Sequence, residues 1–171
     1  YEFGRVADKY TLAAGVTWMF SPILGLAAKP RWSRVYETFG EDPHVATQMG
    51  VHVVRGIQAV DEPGATNANV SGGAAAETPH RAAACLKHFV GYSSPKTGHD
   101  RTPVELPERV LQQYYVPPFR AAIREGALTV MEGYHELNDE PVVASEKLLQ
   151  TLLRERLGFR GVVRRAAPTL M

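Results

Sequence analysis

At 171 residues and 18.8 kDa the chain is long enough for one domain with a sizeable core. With 44% hydrophobic and 22% charged residues it has ordinary globular composition rather than that of a disordered chain. A net charge of +1, from 19 basic and 18 acidic residues, gives no electrostatic footprint for nucleic acid or a membrane surface and leaves a small neutral ligand as the expected partner.

The first residues, Tyr1 to Arg5, read neither as a signal peptide nor as an initiator methionine, so the chain is expected to begin in mid-protein. Gly15 to Leu26 is apolar, rich in β-formers and short for a helix, which predicts a buried strand ending near Pro22. Asp42 as cap and Pro43 at the first helical position then predict a helix. Val45, Met49, Val53, Ile57 and Val60 form its expected apolar face, stopped by Asp61-Glu62-Pro63-Gly64. Residues 63–80 are rich in Gly, Ala and Asn and read as a surface loop carrying one glycosylation triplet, Asn69-Val70-Ser71. That triplet tilts an otherwise open compartment slightly toward secretion or a lysosome- or vacuole-like location.

Ala83 to Val90 predicts a second strand. It contains Cys85, the single cysteine, read as a small buried hydrophobe since no intrachain disulfide can form. Leu106, Val110 and Tyr114 begin a second helical stripe that Pro117-Pro118 is expected to kink before Phe119, Ala122 and Ile123, with Gly126 as its end. Ala127 to Met131 is a third short strand, Ser145 caps a third helix bearing Leu148, Leu149, Leu152 and Leu153, and Gly158 stops it before a fourth strand at Gly161 to Val163. Strands alternating with helices predict a parallel sheet, either barrel or doubly wound. Nothing in the chain approaches the roughly 20 apolar residues that cross a bilayer. The nearest candidate for a glycine-rich phosphate loop, Ser71-Gly72-Gly73, follows no strand, and the six histidines lack HxH or HExxH spacing, so neither cofactor nor metal is expected.

Ligands in parallel α/β folds meet the loops at the carboxyl ends of strands. Arg31, Trp32 and Arg34 follow the first strand, Lys87-His88 stand late in the second, and Tyr134 and His135 follow the third. Lys87 beside His88 is the most informative pair, because an ammonium in an apolar strand needs a partner and neighbouring side chains normally face opposite ways. Lysine and histidine can donate to vicinal hydroxyls, and Trp32 or Tyr134 can pack on a sugar face. Plainer alternatives are a strand-end lysine paired with an acid, a salt bridge from Arg34 to Glu37, Glu41 or Asp42, and a core Tyr134 with its hydroxyl on backbone. The acidic group Glu132, Glu136, Asp139, Glu140 reads as a solvated loop, with a catalytic carboxylate as the alternative.

These motifs resemble the N-terminal barrel of glycoside hydrolase family 3. Lys29 to Pro43 (KPRWSRVYETFGEDP) is similar to the family's DPRWGR-x-x-ETYGEDP block, and Cys85 to Ser93 (CLKHFVGYS) to its KHF-x-GY block. Val116 to Val142 resembles the LPPF-x-x-AI block through VM-x-SYN, and Arg154 to Val163 the helix and strand before the family's nucleophile. The resemblance implies part of a (β/α)8 barrel, roughly its middle βα units, in a single partial domain over residues 1–171. It implies that Arg34, Lys87 and His88 hold hydroxyls of the terminal sugar, that Met131 lines the pocket, and that Tyr134 contacts the nucleophile. It further implies descent from a retaining enzyme that hydrolyses terminal β-D-glucosyl or β-xylosyl residues. Four strands fall short of a barrel of about 250 residues, so the remainder of the enzyme is an expected partner. Where the family continues into Ser-Asp-Trp, residues 164–171 diverge and Ala166 stands at the nucleophile's position. The chain alone is therefore expected to be inactive, a pseudoenzyme or a carbohydrate-binding remnant. Gly25, Ser33 and His135 replace the family's expected aspartate, glycine and asparagine.

Overall fold

A computed structural model describes residues 1–58 and 81–165. Four parallel strands form one sheet in the order β1 (Trp18–Met19), β2 (Ala83–Phe89), β3 (Thr129–Glu132) and β6 (Val162–Arg164). Helices α1 (Glu2–Ala13), α2 (Pro43–Gln58), α3 (Glu108–Val110, Leu111–Tyr115 and Val116–Arg124 in succession) and α4 (Lys147–Arg156) accompany them. β4 (Glu136–Leu137) and β5 (Glu140–Pro141) make a separate antiparallel hairpin. The expected alternation of strand and helix is the architecture observed. The surface-loop reading of residues 63–80, with the Asn69 triplet, lies outside the described residues, as does Ala166.

Several local signals act as the sequence predicts. Asp42 Oδ1 accepts the His44 amide at 2.7 Å, and Ser145 Oγ accepts that of Leu148 at 3.2 Å. Gly126 and Gly158 stop their helices at φ +96° and +72°, a conformation costly for any residue with a Cβ. The prolines of α3 begin its last segment, directly after the wider π-type turns of Leu111–Tyr115. There their missing amide hydrogens leave a locally loosened ladder rather than breaking the helix.

Other expectations require correction. The first strand is paired at Trp18–Met19 and again by a bridge from Ile23 to Lys87, because Pro22 between them has no N–H to give. On α2 the buried face is Ala46, Gly50, Val53, Val54 and Ile57, while Val45 and Met49 are exposed. Helix α1, which carried no recognised sequence signal, crosses α2 where two glycines meet. A Cβ on Gly4 would lie 2.5 Å from the Val53 carbonyl oxygen, and one on Gly56 would lie 2.9 Å from the Gly4 Cα and closer still to the Tyr1 carbonyl oxygen. This close approach turns α2 so that Gly56 meets α1 while Val45 and Met49 are left outside. On α3 the buried stripe is Leu111, Tyr115, Val116 and Phe119 instead of the one through Tyr114. The acidic segment is a hairpin whose turn residues Asn138 and Asp139 have φ 51° and 65°. The Asn138 side chain bonds both the amide and the carbonyl of Leu106 at 2.9 Å, fastening the hairpin to the body of the domain.

The main core is built from Leu24, Val54, Leu86, Phe89, Phe119 and Leu153 among others, between the sheet and its helices. Gly56→Ala is expected to lower the unfolding free energy by about 1–3 kcal/mol, because backbone cannot yield to the added carbon. Urea unfolding followed by circular dichroism measures it, and an unchanged midpoint contradicts the glycine-mediated crossing.

Candidate active site

Strand β2 supplies the centre of the site. Its pairing with β3 runs Cys85 to Thr129, Leu86 to Val130 and Lys87 to Met131, and then slips so that Phe89 faces Glu132. His88 is the extra residue of this irregularity, and the peptide bonds Lys87–His88 and Phe89–Val90 are cis. A two-against-one register interrupts strict alternation. Lys87 and His88, adjacent in sequence, consequently line one cavity of about 240 Å³.

All five residues expected to bind ligand are in its wall: Arg34, Lys87, His88, Met131 and Tyr134. Phe20, Tyr92, Arg101 and Arg164 complete it. Each lies at the carboxyl end of a sheet strand or in the loop that follows one, as the geometry of parallel sheets requires.

The cations are held from behind. Arg34 Nε and Nη2 donate to the two oxygens of Glu37 at 2.6 and 3.0 Å, a bidentate pair, and Lys87 Nζ is 3.3 Å from Glu37 Oε2. The plain alternative for Arg34 and Lys87, an ion pair with a nearby acid, is therefore present together with the pocket. Hydrogen bonding to Arg34 keeps Glu37 below the usual carboxylate range, with the charge of Lys87 adding to it against the cost of burial. The same bond raises Arg34 above its ordinary value.

His88 is buried, its Nε2 3.3 Å from Arg34 Nη1. Since guanidinium can only donate, Nε2 accepts and the ring hydrogen belongs on Nδ1, which has no protein partner. Burial first, then the charges of Arg34 and Lys87, push this imidazole down to about 2. Buried His135 gives its Nε2 hydrogen to the Val90 carbonyl at 3.2 Å and is lowered to about 4 by burial. The Tyr134 hydroxyl is shielded from solvent without a hydrogen-bond partner, so the backbone bond of a core tyrosine is not made. Arg101 lies 5.4 Å above the Tyr134 ring.

Trp32 is not a sugar platform. It is 1% exposed, packs edge-on against Tyr92 at 5.7 Å, and donates Nε1–H to Asp100 at 2.7 Å. Asp100 also accepts the Tyr92 hydroxyl at 3.0 Å and so fixes the ring against which His88 lies, 4.4 Å away. Sequence reasoning missed Tyr92, Asp100, Arg101, Phe20 and Arg164 as parts of the site. Tyr92 was visible in the KHF-x-GY resemblance, whereas Asp100 and Arg101 sit in a loop with no periodic signal. Glu132 is buried at the end of β3 and, like the hairpin acids, is absent from the cavity wall. Among the described residues no group of three His, Cys, Asp or Glu could hold a metal ion, and no helix is long and apolar enough to cross a membrane.

Two buried neutral imidazoles fix a pH dependence. The unfolded chain takes up protons near the ordinary histidine value of about 6.5, which the folded rings refuse until about 4 for His135 and about 2 for His88. Their effect is absent above pH 6.5 and destabilises progressively below it. The urea unfolding free energy is expected to fall by about 2–4 kcal/mol between pH 7.5 and 5, while equal values at the two pH values contradict neutral burial of both rings.

Comparison with known proteins agrees with this geometry. Residues 1–165 match the glycosyl hydrolase family 3 N terminal domain. The chain is 43% identical over 159 residues to the lysosomal beta glucosidase of Dictyostelium discoideum, covering 92% of this chain and 18% of that protein. It is 36% identical to a beta-xylosidase of Formosa agariphila, covering 88% of this chain and 20% of the relative. Among solved structures, a mutant beta-glucosidase from Listeria innocua in complex with laminaribiose superposes with a TM-score of 0.85 at 33% identity, covering 96% of this chain and 21% of that one. The chain thus spans about a fifth of the length of these relatives.

Proposed function

The chain belongs to glycosyl hydrolase family 3, and from that membership we propose that it forms the part of a β-glycosidase barrel that grips the terminal sugar. In this reading the whole protein hydrolyses terminal β-D-glucosyl or β-xylosyl residues, the activities named for its relatives. The carrying observation is the pocket itself. Arg34 and Lys87, immobilised by one carboxylate, sit beside a neutral His88 in the cavity wall. Pre-oriented donors of this kind bind the hydroxyls of a sugar ring at little ordering cost. Met131, Phe20 and Tyr134 supply apolar surface for its faces.

Retaining hydrolysis needs two carboxyl groups roughly 5–5.5 Å apart across the scissile bond. No carboxylate lines this pocket among the described residues. That observation favours a second reading for the 171-residue chain taken alone, sugar binding without turnover, with chemistry depending on segments that its longer relatives possess. Those segments are also the partner proposed to cover the edge strands β1 and β6. We further place the protein in a secretory or lysosome-like compartment, a reading supported by the lysosomal name of the Dictyostelium relative and by the Asn69 triplet.

Incubated with p-nitrophenyl β-D-glucoside, the chain is expected to release no p-nitrophenol while binding D-glucose in calorimetry. Lys87→Ala is expected to weaken that binding about tenfold or more, the loss of a charged hydrogen bond. Turnover that disappears in Lys87→Ala contradicts the binding-only reading, and glucose binding indifferent to Lys87 contradicts the site.

A further inference from the structure

Glu37 holds the cations of the pocket from behind. Another carboxylate, Asp100, in the loop that follows β2, does not line the cavity but stands against residues that shape it. Its two oxygens serve different donors: Oδ1 accepts the Trp32 indole N–H at 2.7 Å, and Oδ2 accepts the Tyr92 hydroxyl at 3.0 Å. Trp32 is 1% exposed and Tyr92 4%, so both donors need an acceptor where water does not supply one. A carboxylate offers an oxygen to each. A side-chain amide, with one oxygen and one NH2 group, can accept from only one of them and opposes the other with a donor.

Tyr92 carries the effect of this carboxylate into the pocket. Its ring centroid is 4.4 Å from that of His88, and the Arg34 guanidinium lies 5.8 Å above the same ring. Two residues that the sugar reading needs therefore rest on one aromatic ring, and the hydroxyl on Asp100 is what fixes that ring in its plane. Burial, then the charge of Asp100, raises Tyr92 above its ordinary value, so the phenol stays a proton donor. A phenol that donates to a carboxylate is polarised by it, which strengthens the attraction of its ring for the guanidinium. Trp32, the other donor, stands two residues before Arg34, so the same carboxylate anchors the segment that delivers Arg34.

We propose that Asp100 is a positioning residue of the sugar site, acting through the Tyr92 hydroxyl to hold the ring on which Arg34 and His88 rest. The inference rests on the sugar-site reading of the pocket and adds to it a residue outside the cavity wall, in a segment that none of the family-like blocks contains.

The test compares the 171-residue chain with Asp100→Asn, Tyr92→Phe and the double variant, each checked for folding by circular dichroism and urea unfolding. Glucose affinity is read by calorimetry, and the His88 ring signals by proton–nitrogen correlation NMR. Each single variant is expected to weaken glucose binding about fivefold to tenfold, and the double variant no further, because both changes remove one shared interaction. The His88 signals are expected to move in both single variants, as the ring beside them loses its tether. Tyr92→Phe, which removes one oxygen only, carries the test if Asp100→Asn does not fold. Losses that add in the double variant overturn action through Tyr92. Parental affinity in a folded Asp100→Asn or in Tyr92→Phe overturns the proposal, and so do His88 signals that stay in place. A parent chain that binds no glucose overturns the sugar reading instead, and the hold of Asp100 on the ring beside His88 is then decided by the His88 signals alone.

Discussion

Glu37 is the group on which the site depends. Lys87 stands on a strand whose flanking residues Leu86 and Phe89 are fully buried, and a bare ammonium there costs several kcal/mol. One carboxylate, reached by a short 3₁₀ turn at Val35–Glu37, offsets that cost for Lys87 and for Arg34 at once. Both cations are locked at the cavity wall as a result, with hydrogen-bonding capacity left over for a ligand. His88 follows from the same arrangement, for beside two fixed positive charges a buried imidazole stays neutral.

The sheet makes the arrangement possible by breaking its own rule once. Regular alternation would send Lys87 and His88 to opposite faces, whereas the slip in pairing after Lys87 admits both to one cavity and leaves Phe89 to pack on Phe119 at 5.2 Å. Beneath this irregular stretch, Trp18 donates to Thr129, which in turn bonds the Ala84 carbonyl, so β1, β2 and β3 are tied by side chains as well as by backbone. On α2, Gln58 bridges the Ala84 and Leu128 amides and the Gly126 carbonyl, which sets that helix against the same strands. Precision at the pocket is thus supported from the opposite end of the strands.

Much of this was legible in the residues alone. Strand–helix alternation, the Asp42 and Ser145 caps and the glycine stops are local signals, and local signals survive into the fold. The five binding candidates could be named because charged and aromatic residues at strand ends are conspicuous against apolar neighbours, and the resemblance gathered them into one family pattern. What escaped was set by contacts between distant segments. Helix α1 depends on a glycine crossing that only the packed helices reveal, Trp32 was offered beside Tyr134 as a surface for a sugar face although Asp100, 68 residues later, holds it in the interior, and the exposure of Val45 and Met49 contradicts a periodicity that looked regular on paper. Arg164 was read as the start of a divergent tail, yet it remains in register with Met131 as the last residue of β6.

The most direct measurement is the affinity of Glu37→Gln for D-glucose relative to the unaltered chain, with far-UV circular dichroism and a urea titration confirming that the variant is folded. Glutamine keeps the size of the side chain but cannot bind Arg34 and Lys87 as a shared anion, so a fall of about tenfold or more in affinity is the predicted result. A folded variant that binds glucose as tightly as the parent would contradict the central claim that one carboxylate organises the sugar site.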